Sequence, residues 1–217
     1  MISRRISPLT LDSLQELPAP CRQCVFWELD PVAGARAERR ADAAEHKQAW
    51  LSQALLEWGS VGKVAYIDAA FAGYLTYAPP HLVPRSLAFA TAPVSADAVL
   101  LMTGRVLPQY AGGGLGRMLM QAVARDLTRR GVRAIEAYGV PSESLADLDA
   151  RERAARVGGC LLPQDYLLAV GFTTVRAHHR HPRLRLDLRT ALSWRGDVEQ
   201  AVERLLGSVR VVVPSGS

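Results

Sequence analysis

Between Leu107 and Leu119 the chain reads Leu107-Pro108-Gln109-Tyr110-Ala111-Gly112-Gly113-Gly114-Leu115-Gly116-Arg117-Met118-Leu119, with four glycines in five positions. The strongest strand pattern in the chain stands ahead of it, within Asp97 to Pro108. There Ala98-Val99-Leu100-Leu101-Met102 runs on to Val106 and Leu107, an apolar stretch suited to a central strand covered on both faces. Behind it, Leu115 to Arg130 places Leu115, Leu119, Ala122, Val123 and Leu127 on one side of a helix. A buried strand that turns at once into an amphipathic helix implies a layered fold of sheet and helices. The glycines also remove side chains, so successive backbone N–H groups can turn toward one point. The helix N-terminus adds unpaired donors and the positive end of its dipole. Together these make a site for a phosphate or pyrophosphate, with Arg117 as a further cation. Without a ligand the same pattern is only a tight turn.

Two common phosphate motifs do not fit. A P-loop needs Gly-Lys-Ser/Thr, and here Gly116 is followed by Arg117 and Met118. A dinucleotide fingerprint would open the first strand-turn-helix unit, whereas this turn lies mid-chain after strands of antiparallel type.

The remaining periodicities fill in the order. A strand is expected from Arg4 to Ser7, then a helix from Leu9 to Glu16 stopped by Pro18 and Pro20. After a connector that includes Cys21 and Cys24, one long helix is expected from Ala35 to Trp58, closed by Gly59. Lys63 to Asp68 and Phe71 to Tyr77 read as an antiparallel hairpin joined by alanines. Gly131 caps the helix after the glycine turn, and Val132 to Tyr138 returns as a strand. Pro141 to Gly159 reads as a polar loop and Pro163 to Val170 as a short helix. Phe172 to Ala177 and Leu184 to Leu188 are further strands, with a terminal helix from Asp197 to Leu206. The chain is thus read as one domain over 1–190, with a C-terminal helix and tail over 191–217.

The run from the strand through the Val-x-Pro and glycine turn, then Arg-Gly-Val-Arg-Ala-Ile-Glu-Ala-Tyr, and later Leu-Leu-Ala-Val-Gly-Phe, resembles the GNAT superfamily of acetyltransferases. The likeness follows element order from about Arg4 to Leu188, and its sharp motifs lie in Val106–Leu119 and Ala169–Phe172. It implies an α/β (α+β) fold with a mixed, mostly antiparallel sheet, splayed parallel strands and helices on both faces. It also implies acetyl-CoA as co-substrate and transfer of the acetyl group to a primary amine of an unidentified acceptor, by direct attack in a ternary complex. The family's pyrophosphate pattern, Arg/Gln-x-x-Gly-x-Gly/Ala, falls on Ala111, Gly112, Gly113, Gly114, Leu115 and Gly116, with Val106 and Leu107 offering backbone groups to the pantetheine arm. The chain departs from the family at three places. Ala111 replaces Arg or Gln, with Gln109 or Arg117 available to compensate. No asparagine follows the fifth strand, because the chain has none. The position of the family's acid tyrosine is Leu167, with Tyr166 beside it.

Acyl transfer needs a neutral amine and a group to take its proton. Glu136 and Tyr138 share one strand face by alternation and are the catalytic candidates; packing is the competing role for a strand tyrosine. Glu28 and Asp30 lie in the loop that, by the resemblance, borders the acceptor site, and could attract a cationic substrate. Two other readings stay open. One is a non-catalytic acyl-CoA-binding or partner-binding domain. The other is a metal-binding regulatory domain built on Cys21-x-x-Cys24, with Cys160 and one of His178, His179 or His181 completing the set. Cys21 and Cys24 also admit a redox pair, or simply small buried hydrophobes. No metal is assigned.

Composition narrows the partners. The 217 residues carry a net charge of +5, almost all of it arginine, since the only lysines are Lys47 and Lys63. No basic stripe interleaved with aromatics marks a nucleic-acid surface. No apolar run approaches the roughly 20 residues of a membrane span. Three cysteines make no disulfide framework, which with the absence of a signal-like start places the chain in the cytoplasm as an expectation. A homodimer through exposed strand arms is compatible with the resemblance.

Overall fold

The structure, a computed structural model, describes residues 3–142 and 160–189. Its strands are β1 (Arg4–Pro8), β2 (Gly62–Ile67), β3 (Ala70–Ala78), β4 (Ala98–Val106), β5 (Ala134–Val140), β6 (Leu162–Pro163), β7 (Thr173–Arg176) and β8 (Arg183–Asp187). The helices are α1 (Leu11–Leu14), α2 (Ala19–Arg22), α3 (Pro31–Arg40), α4 (Ala43–Glu57), α5 (Leu115–Arg129) and α6 (Gln164–Ala169). The terminal helix expected from Asp197, the division at 191–217 and nearly all of the polar loop after Pro141 lie outside the described residues.

The sheet runs β1-β2-β3-β4-β5-β8-β7, with β6 paired to the end of β5. Only β4–β5 and β5–β6 are parallel; every other pair is antiparallel. Alternation along β4 divides the core. Leu100 and Met102 join Leu14, Trp27, Leu51 and Tyr138 on one face. Val99 and Leu101 join Leu119, Val123, Leu127 and Leu167 on the other. Helices therefore cover both faces, and the expected mixed α+β architecture is what the chain adopts. No helix among the described residues is long and apolar enough to cross a membrane.

Several local expectations need correction. The single helix from Ala35 to Trp58 is two helices. Asp30 caps the first from its side chain, and the break falls at Ala41, held left-handed at φ 59°. Glycine usually marks such a break, and its absence here hid it. The helix from Leu9 to Glu16 is one turn, fixed by a capping box between Thr10 and Ser13. Pro18 and Pro20 do more than stop it: Pro18 is the N-cap of α2, with Pro20 inside its first turn, where a missing N–H costs nothing. The β2–β3 turn is Asp68-Ala69 rather than the alanine pair, both residues left-handed, as two-residue hairpins require.

Candidate active site

The glycine turn begins as Pro108–Tyr110 closes a short helical turn whose last donor is the Ala111 amide. Residues 111–114 are all exposed. Gly112 and Gly114 stand at φ 79° and 75°, and a Cβ built on either would meet nothing within 4 Å. The space beside them is open, and the glycines are there for backbone conformation. Gly114 is the N-cap of α5, and its carbonyl accepts the first helical bond, from Met118. Among the described residues no acceptor takes the N–H groups of 112–117. These successive donors at a helix N-terminus form an anion cradle.

Sequence reasoning missed the cation beside this cradle. Arg4 donates from Nη1 to the Gly113 carbonyl at 3.1 Å and lies 3.7 Å from Met118 Sδ. The α5 helix packs on β2 and β3, and Ile6 of β1 shares a core with Met118, which brings Arg4 to the turn. With the partners 109 positions apart, no local motif could reveal the pair. Arg117, the cation expected from sequence, instead donates to the Ala169 carbonyl at the end of α6 at 3.3 Å. Leu115 is buried in the core. The last glycine has a packing reason: a Cβ on Gly116 would sit 3.1 Å from Tyr166, whose hydroxyl donates to the Gly116 carbonyl at 3.0 Å. Burial raises the Tyr166 pKa.

The parallel strands open just short of this cradle. β4 and β5 pair only over Ala98–Leu100 and Ala134–Glu136, although both continue further. On its other edge β4 shifts register: Thr76 pairs with Thr103 and Tyr77 with Leu101, leaving Met102 as the extra residue of a bulge. β6 pairs with Gly139 and Val140 and also contacts β4, so it lines the opening. At the strand end, Val106 pairs with Gly73. Leu107 uses its N–H on Ala72 and its carbonyl on Tyr110.

Glu136 and Tyr138 do share a face, as alternation predicts, but both are fully committed. Glu136 is 0% exposed. Its Oε2 accepts from Arg183 at 2.6 Å and from the Ser95 amide at 3.1 Å, while Oε1 accepts from Arg185 at 3.2 Å. Arg185 also grips Asp97, whose carboxyl is held below its ordinary range by that hydrogen bond. Tyr138 is 1% exposed and donates to the Ser86 carbonyl at 3.1 Å. Its ring stacks on Phe89 at 4.1 Å between centroids, and Phe89 stacks in turn on Trp27 at 5.4 Å. Burial pushes the Tyr138 phenol up to about 12. The acceptor candidates are also in structural roles: Glu28 is buried against the Lys47 ammonium, and Asp30 caps α3.

The cysteines separate. Cys21 is buried on the α1–α4 face, with its Sγ 4.0 Å from Arg105. Cys24 meets Cys160 instead, Sγ to Sγ at 2.7 Å. Among the described residues no group of three or more His, Cys, Asp or Glu is placed to hold a metal ion. His178 accepts at Nδ1 from the Arg180 and His181 amides and organises a polar strand connection.

A bulged, splayed parallel pair with a glycine cradle at its end is the arrangement that the resemblance implied. Residues 11–148 match the model of the acetyltransferase (GNAT) family, and the chain belongs to that family. Its chemistry is therefore acyl transfer, and acetyl-CoA is the co-substrate that fits it. Solved structures that share the fold include the following three. The PaiA N-acetyltransferase from Thermoplasma acidophilum, in complex with coenzyme A, is 12% identical with TM-score 0.52, over 85% of this chain and 99% of that one. An N-acetyltransferase from Staphylococcus aureus Mu50 is 13% identical with TM-score 0.51, over 86% and 99%. The loading GNATL domain of CurA from Lyngbya majuscula is 12% identical with TM-score 0.53, over 87% and 99%. No curated protein matches the chain in sequence.

Proposed function

We propose that this protein transfers the acetyl group of acetyl-CoA to a primary amine, by direct attack in a ternary complex. The observation that carries the reading is the run of unpaired amides at residues 112–117 beside the β4–β5 opening. In this reading the pyrophosphate lies on those amides, and Arg4 supplies the positive charge that Ala111 lacks. The pantetheine arm enters the opening along β4 toward the bulge at Met102. The neutral amine attacks the thioester carbonyl, the C–N bond forms as the C–S bond breaks, and the CoA thiolate leaves.

The proton of the amine passes to water in this scheme. Glu136 is fully buried, and its two oxygens are occupied by Arg183, Arg185 and the Ser95 amide, so neither is open to an amine. It acts as an anchor holding β8 to β5, and Tyr138 as part of the acceptor-side floor. The same commitments favour one second reading, a domain that binds acyl-CoA without turnover.

Calorimetry with acetyl-CoA on the wild type and on Gly114→Glu, together with acetylation of a panel of amines, tests the assignment. The added carboxylate should reduce affinity at least ~100-fold through repulsion and blockage of the anion position. A folded wild type that binds no acetyl-CoA would sink both readings. Binding with no acetylation of any amine would favour the second.

A further inference from the structure

Cys24 stands on the connector between α2 and α3, and Cys160 two residues ahead of β6, the strand that lines the β4–β5 opening. Their sulfurs, 2.7 Å apart, are well inside van der Waals contact and close to the ~2.05 Å of a disulfide bond. Both backbones are fixed. The Trp27 indole donates to the Cys160 carbonyl at 2.6 Å, and the Lys47 ammonium donates to the Cys24 carbonyl at 3.0 Å. Both thiols are partly exposed, whereas Cys21 is buried, so a small oxidant reaches this pair first. The hydrogen bond from Cys160 lowers the Cys24 pKa below its ordinary value; burial opposes this, and the Lys47 charge assists it. The lowered pKa favours the Cys24 thiolate, the form that reacts.

We propose that Cys24 and Cys160 form a redox-modification site, a dithiol that a peroxide closes into a disulfide joining the α2–α3 connector to β6. The Cys24 thiolate attacks one peroxide oxygen. The O–O bond breaks, and the departing hydroxide takes a proton to become water, leaving Cys24 as the sulfenic acid. The Cys160 sulfur then attacks the Cys24 sulfur, and the S–S bond forms as hydroxide leaves with the Cys160 proton as a second water. Two thiols lose two electrons and one peroxide is reduced to two waters. The product ties the strand lining the opening to the helical layer over the opposite core. This inference does not rest on acetyl transfer, because its readout is sulfur chemistry.

The test treats the purified full chain with stoichiometric hydrogen peroxide, followed by thiol titration and non-reducing peptide mass mapping. Of the three thiols, two should disappear together, with one Cys24–Cys160 cross-linked peptide that dithiothreitol reverses. Cys21→Ser should still form it. Cys160→Ser should stop at a Cys24 sulfenic acid that dimedone traps. The rate of thiol loss should rise with pH through a midpoint below the ordinary 9.0. Three thiols surviving treatment, a link through Cys21, or Cys24 oxidised while Cys160 stays free would each overturn the proposal. A Cys24→Ser variant that still loses Cys160 to peroxide at the wild-type rate would overturn Cys24 as the attacking sulfur.

Discussion

The glycine turn leaves its amide hydrogens without acceptors and its surroundings open, while in the floor along β5 the Glu136 carboxylate and the Tyr138 phenol are both engaged. The turn follows the C-terminal end of β4, whereas Glu136 lies in the paired part of β5 and Tyr138 just beyond it. The turn contributes almost nothing but backbone; the floor contributes a carboxylate, two guanidinium groups and a phenol. Side-chain identity alone would place the chemistry on the floor. Satisfaction of hydrogen bonds places ligand binding on the turn, because an unmet donor at a helix N-terminus is available to an anion. A carboxylate already held by two cations offers little to a substrate.

The sharpest way to break this contrast is Glu136→Ala. Removing Glu136 leaves Arg183 without its carboxylate partner and Arg185 with Asp97 alone. Loss of a buried ion-pair partner costs about 3–5 kcal/mol. Denaturant unfolding should show a loss in that range. A loss below ~1 kcal/mol would mean the carboxylate is not an anchor, and its candidacy as a base would return.

Gly114→Ala sharpens the other side. A methyl group there meets open space, yet the backbone is held at φ 75°, so the cost is conformational. About 1–2 kcal/mol of stability should be lost, with acetyl-CoA affinity changing far less than in Gly114→Glu. If Ala and Glu weaken binding equally, the turn's conformation rather than its open anion position governs the site.

These residues also show what the sequence made legible. The strand, glycine turn and amphipathic helix could be read directly, because strand periodicity, left-handed glycine and helix periodicity are local properties. So could the alternation that puts Glu136 and Tyr138 on one face. What those residues touch is set by distant segments, Ser86, Ser95 and Arg183, and no spacing rule reaches that far. Arg4 was invisible for the same reason. Ala41 hid a helix break because the left-handed residue is not glycine, and the Cys21-x-x-Cys24 spacing suggested a pair where the fold instead joins Cys24 to Cys160.

Tyr138→Phe tests whether the floor is packing alone. The stacked rings remain, and only the bond to the Ser86 carbonyl is lost. Stability should fall by about 1 kcal/mol, with the rate of acetyl transfer to a responsive amine unchanged within about twofold. A much larger fall in kcat at unchanged KM would restore the phenol as an acid.

The smallest expected effect belongs to Arg4→Ala. Its guanidinium is exposed, so its attraction for a phosphate is screened by water and salt. Acetyl-CoA affinity should weaken by roughly 2- to 5-fold at low ionic strength, as exposed charge pairs typically allow. The difference from wild type should shrink as salt rises, and Arg117→Ala should weaken binding less, since Arg117 is turned to the end of α6. A salt-independent loss would instead mean that Arg4 acts through its bond to the Gly113 carbonyl, shaping the turn rather than attracting the ligand. Measuring the salt slope of both variants distinguishes charge from shape in the one part of the cradle that is not backbone.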